Sequence, residues 1–329
     1  MRLILPLVTA LGIITRMTDP KPSLQQFMFR VIDYAGLYPP ANLSLEEAFK
    51  NFMEYQDSPD SWMLSRFVIP AKRLPHLTPL MPATPEALTF TTLGRSGSSV
   101  DEFLANLKLD IDDILAFRET YGAAVIVDMF EVALPSSALT DATQAHDLVK
   151  SASDMLNKNG ITVFFEVSSG EDWRPRAENL IRALRKLKDR HVGFKLRTGG
   201  VTADAFPSTE QVAWTIAAVR DAGVPLKCTA GLHHPIRHYN DSVQTKMHGF
   251  LNVFGAGVLA EAKDLSQAQI QSILEDEDPE HFSFDENGFT WKDLRIATSG
   301  ITKSRLFSTS FGSCSFDEPR EDLRKLRIL

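Results

Sequence analysis

Lys195 and Lys227 each stand near the end of a short apolar run that gives way to a small-residue turn, in the stretches VGFKLRTGG and VPLKCTAGLHH. A lysine placed this way has a chemical use. Its neutral amine attacks a carbonyl, and the resulting Schiff base is an electron sink for cleavage of a carbon–carbon bond. An ordinary lysine, with a pKa near ~10.4, is protonated at neutral pH. Burial and a second cation nearby lower that pKa and free the nucleophile, and paired lysines on adjacent strand ends would supply such a neighbour. A carboxylate such as Asp128, or Glu166 at the end of another apolar run, can then hold or pass a proton. A single lysine in a strand is explained by snorkelling or by an ion pair; two at matching places ask for more.

The second constellation is GLHHPIRHY, which with Met247-His248 gathers His233, His234, His238 and His248. Histidine is a common metal ligand, so a metal-dependent hydrolase or lyase built on His233, His234 and His238 is an alternative reading. The chain has no HExxH pattern, and Pro235 weakens a shared helical face for His234 and His238. Histidines can equally bond a substrate hydroxyl or phosphate. The third feature is glycine. Thr198-Gly199-Gly200 and Gly255-Ala256-Gly257 are turns whose backbone N–H groups could hold a phosphate, although neither matches GxxxxGK[ST] or GxGxxG.

These residues need elements to position them. Apolar runs at 29–35, 62–69, 87–93, 123–130, 161–167, 192–197, 225–229 and 250–255 read as strands. Segments with helical spacing lie between them, at 44–56, 100–121, 141–158, 174–189 and 208–222. Ser44 with Glu47 is a capping box, Ser208 caps the helix after Pro207, and Gly223 ends it. Eight runs alternating with helices spell an α/β fold of the (β/α)8 TIM-barrel type, with an open doubly wound sheet as the alternative. In such a barrel the site lies at the C-terminal strand ends. That places Lys195, Lys227, Asp128 and Glu166 where chemistry is expected.

Residues 18–263 are read as the barrel domain and 264–329 as a C-terminal appendage. The appendage holds a helix over 265–275, a hairpin turning at Asn287-Gly288 and a final charged helix. Phe282, Phe284, Phe289 and Trp291 either pack on the barrel or form the interaction surface of a non-catalytic metabolite-binding barrel. Residues 1–17 are an apolar extension too short to span a membrane; a targeting segment there would direct the chain to an organelle or to export.

Bulk properties narrow the class. The 329 residues carry a formal net charge of -7, which disfavours nucleic acid and anionic membranes as partners. Two cysteines, Cys228 and Cys314, indicate neither a disulfide framework nor a CxxC site. A cytoplasmic location fits, and a homo-oligomer is left open.

At its chemistry-bearing residues the chain resembles deoxyribose-phosphate aldolase and its class I aldolase relatives, collinearly over about residues 29–263. VIDYAGLYPPANLSLEEAFKNF is similar to that family's first strand and helix, YGAAVIVDMFEVAL to its fourth strand, and ITVFFEVSSG to its fifth. FKLRTGGVTADAFPSTEQVAWTIAAVRDAG is similar to the sixth strand and its helix, LKCTAGLHH to the seventh strand and NVFGAGVLAEA to the eighth. The resemblance implies a cofactor-free lyase in which Lys195 forms the Schiff base with a small carbonyl compound. Lys227 would depress the Lys195 pKa, and Asp128 would take part in proton transfer. Arg197, Thr198, Gly199, Gly200, Glu166, His233, His234, Gly255 and Gly257 would face the substrate. The turns depart from the family's: Leu196-Arg197 precedes Thr198-Gly199, and Ala230-Gly231 with His233-His234 follows the second lysine. A different substrate, with a different or absent phosphate grip, is therefore expected.

Overall fold

Eight parallel strands close into a barrel in the computed structural model, which describes residues 20–329 apart from 84–86, 171 and 189. The apolar extension at 1–17 lies outside the described residues. In chain order the elements are α1 (Pro22–Met28), β1 (Ile32–Tyr34), α2 (Leu45–Gln56), β2 (Leu64–Pro70), β3 (Leu88–Leu93), α3 (Val100–Tyr121), β4 (Val125–Ala133), α4 (Ala142–Asn157), β5 (Thr162–Glu166), α5 (Trp173–Lys186), β6 (Val192–Arg197), α6 (Thr209–Asp221) and β7 (Leu226–Thr229). They continue with β8 (His238–Asn240), β9 (Thr245–Met247), α7 (Phe250–Lys263), α8 (Gln267–Glu275), β10 (Phe282–Phe284), β11 (Gly288–Trp291), β12 (Leu294–Ala297), α9 (Thr298–Ser304), β13 (Ser308–Ser313) and α10 (Asp317–Lys325). The barrel runs β1-β13-β7-β6-β5-β4-β3-β2.

Local chemistry accounts for most boundaries. Ser44 and Glu47 form the expected reciprocal capping box at the start of α2. Ser208 accepts from the Gln211 N–H at the start of α6, and Gly223, with φ +66°, turns the chain out of that helix. Between β2 and β3 the chain makes a 3-10 run, Ala71–Leu80, in place of an α-helix. Pro75 and Pro79 inside it remove the backbone donors that an α-helix needs.

One strand differs from the sequence expectation. The apolar run at 250–255 is the start of helix α7, and the eighth barrel strand is β13, inside the supposed appendage. The barrel domain therefore does not end at 263. Helix α7 is buried from Phe250 through Ala260, so its sequence is apolar on nearly every side and carries no period by which to tell it from a strand. Strand β13 reads STSFGS. Its outward-facing Phe311 stacks on Phe250 of α7, with ring centroids 5.4 Å apart, while Ser310 and Gly312 turn inward.

The remainder of the C-terminal segment packs on the barrel. Strands β10, β11 and β12 form an antiparallel sheet. Phe282, Phe284, Phe289 and Trp291 are buried there, and Phe284 and Phe289 meet Phe27 of α1. These aromatics form an interior, which removes the interaction surface considered above. Among the described residues no helix is long and apolar enough to cross a membrane.

Candidate active site

Strands β6 and β7 pair with Lys195 directly opposite Lys227. Both side chains therefore leave the same, inner face of the barrel, and both are buried. Such charges persist in a low-dielectric interior only when paired. Lys195 Nζ lies 2.8 Å from Glu131 Oε2 and 2.9 Å from Glu166 Oε2. Lys227 Nζ lies 2.9 Å from Glu131 Oε1, a charge contact too bent for an aligned hydrogen bond. Lys227 also pairs closely with Asp33 and donates to Ser310 Oγ at 3.2 Å, and Ser310 in turn donates to Asp33 Oδ2 at 2.9 Å. One carboxylate, Glu131, thus bridges the two lysines. Arg197, half exposed at the strand end, reaches Glu166 Oε1 at 3.3 Å. Three carboxylates, Asp33, Glu131 and Glu166, are balanced by two ammonium groups and one guanidinium.

The electrostatics follow from this geometry. Burial alone would lower the Lys195 pKa, but Glu131 and Glu166 outweigh it and raise the pKa above the usual lysine range. Burial would likewise raise Glu131, and Lys195 with Lys227 outweighs that and holds it well below the usual carboxylate range. Lys227 is therefore not the lever expected from the sequence: its charge is met by Asp33 and Glu131, and Glu131 and Glu166 hold Lys195 protonated.

Above the network a cavity of about 230 Å³ opens at the C-terminal end of the strands, where sites of this fold form. Lys195 and Glu131 lie at its floor, Val68 and Leu93 on one wall, and Arg197 and His233 at the rim. Burial would lower the His233 pKa, but its contacts to Cys314 Sγ (3.7 Å) and Glu318 Oε2 (3.3 Å) raise it to about 9. The imidazole is thus cationic at neutral pH. Glu318 belongs to α10, so the last helix closes one side of the mouth.

No family model and no curated protein matches the chain. The functional reading therefore rests on this geometry and on the residues that compose it.

The barrel brings together Lys195, Lys227, Glu166, Arg197, Gly200 and His233 of the expected site residues, and sets the others apart. Asp128 sits at a β-bulge in β4, between the pairs Phe90–Val127 and Thr91–Met129. There it accepts two hydrogen bonds from Arg66, at 3.1 and 3.2 Å. Arg66 precedes the cavity-lining Val68 by two residues, about 7 Å along the strand. Asp128 therefore serves the lower end of the barrel, and Glu131 takes the place between the lysines. Thr198 is buried and donates to the Thr229 and Ala230 carbonyls, joining the two lysine strands at their ends. Gly199 is pressed against Phe206 and Gly231, where a Cβ would come within 2.6 Å of the ring.

Gly255 and Gly257 lie within α7 and are packing positions. A Cβ would meet Phe289 at 3.0 Å from the first and Ser308 Oγ at 2.9 Å from the second. The three candidate metal ligands do not meet as a set. His233 lines the cavity, whereas the rings of His234 and His238 lie 4.6 Å apart, edge to face, with His234 paired to Asp322 at 2.5 Å and His238 Nδ1 against the Ile236 carbonyl. Among the described residues no three His, Cys, Asp or Glu side chains are grouped to hold a metal ion.

Sequence reading missed Asp33, Glu131, Tyr38, Ser310 and Cys314. The first two carried a signal. One acid interrupts the apolar run VIDYAG and two interrupt VDMFEV, and a buried acid calls for a cation.

Proposed function

We propose that the protein is a class I aldolase-like lyase in which Lys195 forms a Schiff base with a small carbonyl compound. The observation that carries this reading is a buried amine at the floor of a barrel-mouth cavity, flanked by two carboxylates, one of them shared with a second lysine. The proton that Lys195 must shed has a destination 2.8–2.9 Å away, on Glu131 or Glu166. The freed amine adds to the carbonyl carbon, and the carboxylic acid returns the proton to the departing hydroxyl as water leaves. In the cleavage direction the carboxylate takes the proton of the β-hydroxyl. The carbon–carbon bond breaks, its electron pair enters the iminium to give an enamine, and an aldehyde departs. Protonation of the enamine carbon and addition of water then release the second product and restore the amine. Lys227 keeps Glu131 ionised between turnovers. The composition supports a cytoplasmic enzyme acting on a small molecule.

One observation favours a second reading. Because Glu131 and Glu166 hold Lys195 charged, the ammonium could polarise a carbonyl without bonding to it while a carboxylate removes the α-proton, which is enolisation chemistry. Borohydride reduction in the presence of acetaldehyde, acetone, hydroxyacetone or pyruvate, followed by peptide mass mapping, separates the two. A reduced adduct on Lys195 supports the lyase. Exchange of α-hydrogen for deuterium without any adduct supports the second reading.

A further inference from the structure

Tyr38 stands at the cavity wall in the turn that follows β1. Its backbone is fixed on both sides: its N–H donates to the Ala35 carbonyl at 3.0 Å, and its own carbonyl accepts from the Asn42 N–H at 3.0 Å. The phenol oxygen is buried and, among the described residues, has no hydrogen-bond partner, although the side chain lines the cavity with Lys195 and Glu131. It is close enough to feel their charges, and burial pushes its pKa upward, so it remains a neutral donor. Ala35, Pro39, Val68 and Leu93 also line the cavity, and among the described residues no side chain there is bonded to the hydroxyl.

A buried hydroxyl without a partner costs free energy that apolar neighbours do not return. An acceptor on a bound ligand meets that need, and a ligand without one leaves the hydroxyl unpaired. We infer that Tyr38 donates a hydrogen bond to an oxygen substituent of the bound compound, so that the cavity takes hydroxylated carbonyl compounds in preference to their deoxy analogues. The carbonyl end is accounted for separately, because Glu131 and Glu166 flank Lys195 while Tyr38 is bonded to none of them. This rests on the carbonyl-binding reading above and adds the substituent that the substrate carries. A site built around a donor discriminates strongly against a ligand lacking the acceptor.

The test compares hydroxyacetone with acetone on the wild type and on Tyr38→Phe. The substitution keeps the ring and removes only a hydroxyl with no protein partner, so folding is expected to be preserved. The measured quantity is the ratio of borohydride-trapping rates for the two ketones, and the variant's ratio corrects for their intrinsic reactivities. The expected result is a wild-type preference for hydroxyacetone that falls by about tenfold or more in Tyr38→Phe. An unchanged ratio overturns the inference. If neither ketone gives an adduct on Lys195, the Schiff-base reading fails by itself. The same ratio is then taken from equilibrium binding of the two ketones by ligand-observed NMR: a preference lost in Tyr38→Phe supports the donor role, and equal ratios or no binding overturn it.

Discussion

Replacing Glu131 with Gln tests the charge network more sharply than removing either lysine. The amide keeps the shape of the side chain and deletes the one negative charge that two buried ammonium groups share, at 2.8 and 2.9 Å. Lys195 retains Glu166, and Lys227 retains Asp33 and Ser310. The loss should therefore fall near the lower end of the range for breaking a buried pair, about 3 kcal/mol at neutral pH. Its pH dependence is the decisive feature. In the wild type the Lys195 pKa is raised above its unfolded value of 10.5 and that of Glu131 is lowered below its unfolded value of 4.5. The network's contribution is accordingly complete between those two values. It is lost as pH rises through the folded lysine pKa or falls through the folded carboxylate pKa.

In Glu131→Gln the larger of the two attractions on Lys195 is gone while burial still opposes its charge, and the prediction is that its folded pKa drops below the unfolded one. Above that new value the unfolded state binds the proton and the folded state does not. Stability then rises with pH, by up to about 1.4 kcal/mol per unit. The assay is urea unfolding of both proteins across about pH 6–10. The expected result is a stability difference that narrows as pH rises. A difference that stays constant or widens would refute the assignment of Glu131 as the charge that keeps Lys195 protonated. Borohydride trapping on Lys195 at neutral pH should become faster in the same variant, since more of the amine is neutral.

Three further outcomes follow from other contacts. Asp128→Asn should leave trapping on Lys195 within about twofold of wild type and cost about 1 kcal/mol, because the partner of Arg66 is half exposed at the other end of the barrel; a loss of trapping would return Asp128 to the site. Gly193→Ala should lower stability by about 1–3 kcal/mol in urea unfolding, since its Cβ would stand 2.3 Å from the buried Phe164 ring; an unchanged midpoint would mean that the ring moves freely. The His233 pKa is raised from 6.5 to about 9, so its stabilisation of α10 is complete below the lower value and is lost as pH rises to the upper one. Hydrogen exchange of α10 should therefore quicken over that interval in the wild type and much less so in Glu318→Gln.

The lysine pair was legible because strands β6 and β7 are short, adjacent in sequence and built alike, so equal depth in two runs became direct pairing in the barrel. The closing strand was not legible because its work is done by small polar residues. Ser310 and Gly312 face the interior where Lys227 and the cavity need room and a hydroxyl, and a run that serves a polar interior cannot also read as apolar. Helix α7 took the expected place for the opposite reason: buried between the barrel and the β10–β12 sheet, it had no polar face to betray its period.

The exchange of Asp128 for Glu131 has a different origin, and it bears on the chemistry. Distance along the sequence sets depth in a strand only if the strand is regular. The bulge at Asp128 absorbs a residue, directs that carboxylate to Arg66, and pairs Met129 and Glu131 with Thr91 and the cavity-lining Leu93, where a regular strand would have set Asp128 and Phe130, so that they meet Lys227 and Lys195. A regular strand would have put at most one carboxylate near one lysine. The bulge places Glu131 where a single group touches both amines, so that gain or loss of its proton changes the charge felt by each. Glu131 therefore joins Lys195 and Lys227 through one shared charge. For that reason the reactivity of Lys195 must be judged with Glu131 in both its protonation states, and not from the lysine pair alone.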